Sequence, residues 1–149
     1  MRRLRRFLQL RVSDQFLLVE AALLLGLVRL GLRVLSFSTL WRLLTRFSGR
    51  PSRSSGAALR QADRVTWAVS VTSPYVLSAR PCLAQALAAQ VLLVRRGLPT
   101  LLRVGVTRAG RGPVQAHAWM ETDGRVVTGG PRSELERYTP LLALESPTR

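Results

Sequence analysis

From Phe16 to Leu35 the chain is almost continuously apolar, broken only by Glu20, Arg29 and Arg33. The longest charge-free stretch, Ala21–Val28, falls well short of the roughly 18–20 residues a membrane span requires. Each charge at mid-bilayer would also cost about 2.5–3.5 kcal/mol. The apolar part is too long for a signal peptide and has no small-residue cleavage site behind it. Residues 14–47 therefore read as two amphipathic helices. Ser13 or Asp14 can cap the first, which carries Arg29 and Arg33 on one face. The second covers roughly residues 38–47, with Trp41, Arg42 and Arg46.

The run Ser48-Gly49-Arg50-Pro51-Ser52-Arg53-Ser54-Ser55-Gly56 has linker composition. It divides the chain into an apolar, basic helical extension with its linker (1–56) and a domain over 57–149. In the second block, Ala57–Ser73 predicts a helix ended by Pro74. A stronger helix runs from Cys82 to Arg96: Pro81 precedes it, arginines fill its last turn, and Gly97 and Pro99 follow. Leu102, Val104 and Val106 then alternate with Leu101, Arg103 and Gly105, which predicts a strand over 100–107. A second strand covers Val114–Thr122. Asp123-Gly124 is a two-residue hairpin turn, and Arg125–Thr128 returns as a third strand. Gly129-Gly130-Pro131 breaks it. Ser133 and Glu136 have capping-box spacing for a short helix, and the tail beyond Thr139 is expected to be irregular.

Composition narrows the chemistry sharply. The 149 residues carry 23 basic side chains against 8 acidic ones, a net charge of +15. All the basic residues are arginine, and with no lysine there is neither Schiff-base nor P-loop chemistry. One cysteine excludes an internal disulfide and a cysteine-rich zinc site, one histidine excludes a multi-histidine metal site, and Asp14, Asp63 and Asp123 are the only aspartates.

Cys82 sits at the first turn of its helix, where unpaired backbone N–H groups and the macrodipole favour a thiolate. A cysteine in an alanine-rich helix is otherwise a small buried residue. His117 lies in Ala116-His117-Ala118-Trp119-Met120-Glu121; strand alternation puts His117, Trp119 and Glu121 on one face. The small neighbours leave room for another element beside the ring. A cysteine at a helix start, then a strand, then a histidine on the next strand is the order of a papain- or transglutaminase-like site.

At these residues the chain resembles a known family. Cys82-Leu83-Ala84-Gln85-Ala86-Leu87-Ala88-Ala89-Gln90, Arg95-Arg96-Gly97-Leu98-Pro99, Leu102-Arg103-Val104-Gly105-Val106, Ala116-His117-Ala118-Trp119 and Asp123-Gly124-Arg125-Val126-Val127 look like the lasso peptide leader peptidase. This is the stand-alone counterpart of the C-terminal domain of microcin J25-processing proteins. The resemblance covers about residues 60–140. It implies an α+β fold with a papain/transglutaminase-like core, in which the cysteine helix packs on a small antiparallel sheet. It implies cysteine-peptidase removal of the leader from a ribosomally made precursor peptide. It further implies a separate leader-binding protein, an asparagine-synthetase-like cyclase and a cytoplasmic setting. Any ATP requirement would lie with the cyclase or the complex, since the chain has no nucleotide motif, and no cofactor is expected in the chain itself.

The family's Cys-His-Asp triad maps onto Cys82 and His117. Its aspartate would fall near position 129, where this chain has Gly129. Asp123 is the nominal third member, yet it lies six residues beyond His117, roughly 20 Å along an extended strand. Hairpin pairing instead sets His117 opposite Gly130. The group orienting the ring should come from that end, with Glu134, Glu136 or a backbone carbonyl as candidates. The Cys82 N–H is a natural oxyanion donor, and Trp67 or Gln85 a candidate second one.

Two non-catalytic readings compete. The charge would suit nucleic acid, but the arginines are scattered from Arg2 to Arg149 and no recognition motif is present, so no nucleic-acid partner is expected. Residues 1–47 could instead lie on an anionic membrane surface, pack on the core as a helical hairpin, or dock a partner.

Overall fold

The computed structural model describes residues 7–46, 56–77, 82–108 and 112–145. Residues 48–55 of the expected 48–56 linker and the Arg80-Pro81 lead into the cysteine helix lie outside these, whereas Gly56 opens a helix.

Helix α1 spans Val12–Val34 and buries Leu17, Leu18, Ala21, Leu25 and Val28, spaced along one face. Neither expected cap operates. The N-cap position is Arg11, with no side-chain cap bond. Ser13 and Asp14 instead both accept from Arg64. Helix α2, Phe37–Thr45, is capped by Ser36, whose side chain accepts from the Thr39 N–H. It is anchored by Leu40, which seats over Gly31 of α1; a Cβ at Gly31 would come within 2.8 Å of the Leu40 side chain.

Helix α3 spans Gly56–Val76 and passes through Pro74 rather than stopping before it. A proline removes one ladder bond and crowds the carbonyl four residues back. Here that loss falls in the final turn, and the ladder resumes with Leu77 N–H donating to the Ser73 carbonyl. Helix α4, Cys82–Val94, is buried on nearly every side from Ala84 onward, the mark of a central helix. It closes on Gly97 (φ +76°) with the Leu98 N–H reaching back to the Leu93 carbonyl, a Schellman cap.

The sheet is antiparallel with order β3-β2-β1-β4, from β1 (Leu101–Arg108), β2 (Val114–Thr122), β3 (Arg125–Thr128) and β4 (Thr139–Glu145). Asp123 (φ +48°) and Gly124 (φ +73°) both take the left-handed conformation that the two-residue turn requires. Between β3 and β4 lies α5, Arg132–Leu135, with Pro131 rather than Ser133 at its N-cap position and no side-chain cap. The tail expected to be irregular is therefore a strand. β4 lies along β1 with a register shift between Val104 and Gly105. Pro140 is tolerated because β4 is a sheet edge.

The fold is α+β, with helices packed on one small antiparallel sheet and a helical N-terminal part. α1 packs on α3 and α4, and α4 packs on β2. Leu17 to Leu40 of the first block share one apolar cluster with Ala62 to Val127 of the second.

Candidate active site

Cys82 opens α4, half-buried and with a free thiol. His117 lies on β2, directly opposite Gly105 of β1. α4 packs on β2, which sets the helix start and the histidine on the walls of common cavities. Both line a cavity of about 620 Å³, together with Thr66, Ser70, Gln85, Gly129 and Glu134. Both also line a second cavity of about 280 Å³ whose walls are otherwise Phe37, Leu83, Val104, Ala116, Ala118 and Leu142. The cysteine and histidine thus stand where a partly polar cavity and an apolar one adjoin.

The His117 ring is oriented by main chain. Its Nε2 lies 2.6 Å from the Gly129 carbonyl oxygen. A carbonyl only accepts, so Nε2 carries a proton, and in the neutral ring it is Nδ1 that holds the lone pair. The carbonyl is held in place by steric necessity. Gly129 has φ +104°, and a Cβ there would lie 2.4 Å from the Trp119 Cβ. Trp119 is wedged between β3 and β1; a Cβ on Gly105 would come within 3.0 Å of its ring and of Tyr138. The Trp119 Nε1–H donates to Glu121, which also pairs with Arg103. The His117 ring stacks near Trp119 (centroids 6.4 Å) and tilts against Tyr138 (5.2 Å). The side chains at 117, 119 and 121 thus form one face, while Ala118 and Met120 enter the core.

Of the residues singled out from sequence, Cys82, His117, Gln85 and Glu134 come together around the larger cavity. Asp123 does not: it is in the β2–β3 turn and is not among that cavity's lining residues. Trp67 lines a different depression with Asp63 and Arg64. Gln85 faces the site, but its amide donates to Ser73 Oγ. Tyr138 was not anticipated as part of the site, whereas a backbone carbonyl at this end of the hairpin was among the candidates and Gly129 supplies it. The adjacent glycines at 129 and 130, both at positive φ, were the available signal.

The model of the transglutaminase-like superfamily matches residues 22–143. The chain belongs to the transglutaminase-like superfamily. The match takes in Cys82, His117, the whole of the sheet's first three strands and most of α1. Members of this superfamily are typically cysteine peptidase-like or transglutaminases. No curated protein and no solved structure matches the chain significantly.

Proposed function

We propose that this protein is a cysteine peptidase that removes the leader from a ribosomally synthesised lasso peptide precursor. The observation that carries the reading is the pairing of Cys82 with His117 around shared cavities, the ring's Nε2–H committed to the Gly129 carbonyl. With that tautomer fixed, Nδ1 is the nitrogen able to take the thiol proton. The Cys82 sulfur attacks the scissile carbonyl, and His117 passes the proton to the departing amine. The leader remains as a thioester on Cys82 until a water, deprotonated by His117, hydrolyses it. The Cys82 N–H, first in its helix and without an intrahelical partner, is suited to the developing oxyanion, and such donors are worth about 2.7–4 kcal/mol each in comparable sites.

In this proposal the Gly129 carbonyl takes the orienting role that an aspartate has in the triad, and Asp123 has no part. Substrate choice rests on the resemblance of the Cys82–Gln90, Ala116–Trp119 and Asp123–Val127 segments to the leader peptidase. A separate leader-binding protein would deliver the precursor, and a cyclase would take up the freed amine. The test is reconstitution of the protein with precursor and leader-binding protein, followed by mass spectrometry. The wild type should release the intact leader and a core peptide with a new N-terminus, and Cys82→Ala and His117→Ala should each abolish release while keeping the native circular dichroism spectrum. Normal cleavage by either variant would refute the proposal.

A further inference from the structure

The most conspicuous feature outside the site is the outward face of α1. Val12, Leu23 and Val34 recur at intervals of eleven residues, as do Phe16 and Leu27, and Val19 and Leu30. At 3.6 residues per turn an eleven-residue spacing returns to within about 20° of the same face, so these positions form one stripe, here about 33 Å long at 1.5 Å per residue. Every one of these side chains is exposed, Phe16 by 73% and Val34 by 71%. A contiguous apolar patch of this extent marks a docking surface.

Charge indicates what it docks. The carboxylates of α1 are both neutralised by arginines from the folded domain: Asp14 by Arg64, and Glu20 by Arg95 and Arg96 at 2.8 and 2.9 Å. Arg33 is exposed beside the stripe, and in the sequence Arg2, Arg3, Arg5 and Arg6 precede the helix. With both carboxylates paired to arginines, the charge around the stripe is net positive. A second copy, also at +15, would meet it with like charge, whereas an anionic lipid surface supplies both an apolar layer and the opposite sign. No helix among the described residues is long and apolar enough to cross a membrane. We propose that α1 seats the protein in the plane of an anionic membrane surface, its stripe in the acyl boundary and its arginines at the headgroups.

The test is co-sedimentation of the full chain with vesicles of phosphatidylcholine and phosphatidylglycerol, against phosphatidylcholine alone. Wild type should bind the anionic vesicles, with binding that weakens as salt is raised. A Leu23→Glu/Leu27→Glu double variant should bind at least tenfold more weakly while keeping the wild-type melting curve. Cys82→Ala should bind as wild type does, so the outcome is independent of the peptidase reading. The proposal is overturned if wild type stays in the supernatant, or if the double variant sediments equally well. It is equally overturned if light scattering finds a vesicle-indifferent dimer that the double substitution splits, which would make a second copy the occupant.

Discussion

At Gly129 any side chain would run into the backbone and Cβ of Trp119, and a φ of +104° is strained for every residue but glycine. Gly129→Ala should therefore cost about 2–3 kcal/mol of stability, from backbone strain and overpacking together, read as a lowered denaturant midpoint. It should also slow peptide cleavage by displacing the carbonyl that holds His117. An aspartate placed at this position should likewise fail to speed cleavage. Asp123→Asn is the complementary test. Asparagine tolerates the left-handed turn, so cleavage should stay within about twofold of wild type if this side chain has no role; a loss of tenfold or more would return Asp123 to the site. That Cys82 and His117 share a cavity was legible, because the chain has one cysteine and one histidine, at a helix start and on the second strand. The end of the hairpin that supplies the ring's partner was legible too, with a backbone carbonyl among the candidates; which group it is was not, because a carbonyl carries no residue signature and Glu134 and Glu136 compete with it in the sequence.

The elements with strong local signals match their expected spans. β2, the Asp123-Gly124 turn and β3 fall where alternation and turn chemistry put them, and α4 ends on its glycine. Gly97→Ala should accordingly cost about 1 kcal/mol in thermal or chemical unfolding. The elements misjudged are those for which tertiary context overrides a local rule. Pro74 ends no helix, because a final turn has few ladder bonds to lose. β4 reads as tail because Leu141, Leu142, Ala143 and Leu144 do not alternate and Pro140 precedes them, while its ladder partner lies some 38 residues earlier in the chain. That pairing makes β1 an interior strand. Hydrogen exchange should find the amides of β1 protected along its length and those of β4 exchanging faster. Rapid exchange of β1 would contradict the four-strand order.

At the scale of the whole molecule, the core runs without a break from Leu17 of α1 through Val65 and Leu92 to Met120 of β2. Deleting residues 1–47 would uncover the faces of α3 and α4 that α1 covers, so the truncated chain should melt at a lower temperature or aggregate; an unchanged melting curve would show the N-terminal helices to be dispensable. Composition changes at the linker, and of the placements open to the N-terminal helices α1 takes the one packed on the core. Assembly of α1, α3, α4 and the sheet also sets Cys82 and His117 on the walls of the same cavities, and their proposed partnership is the central claim. Because Cys82 is the only thiol in the chain, the partnership can be measured without a substrate, by following iodoacetamide alkylation through intact mass. Wild type should react at least tenfold faster than His117→Ala. Equal rates in the two proteins would contradict the account, since a thiol indifferent to the loss of that ring is not activated by it.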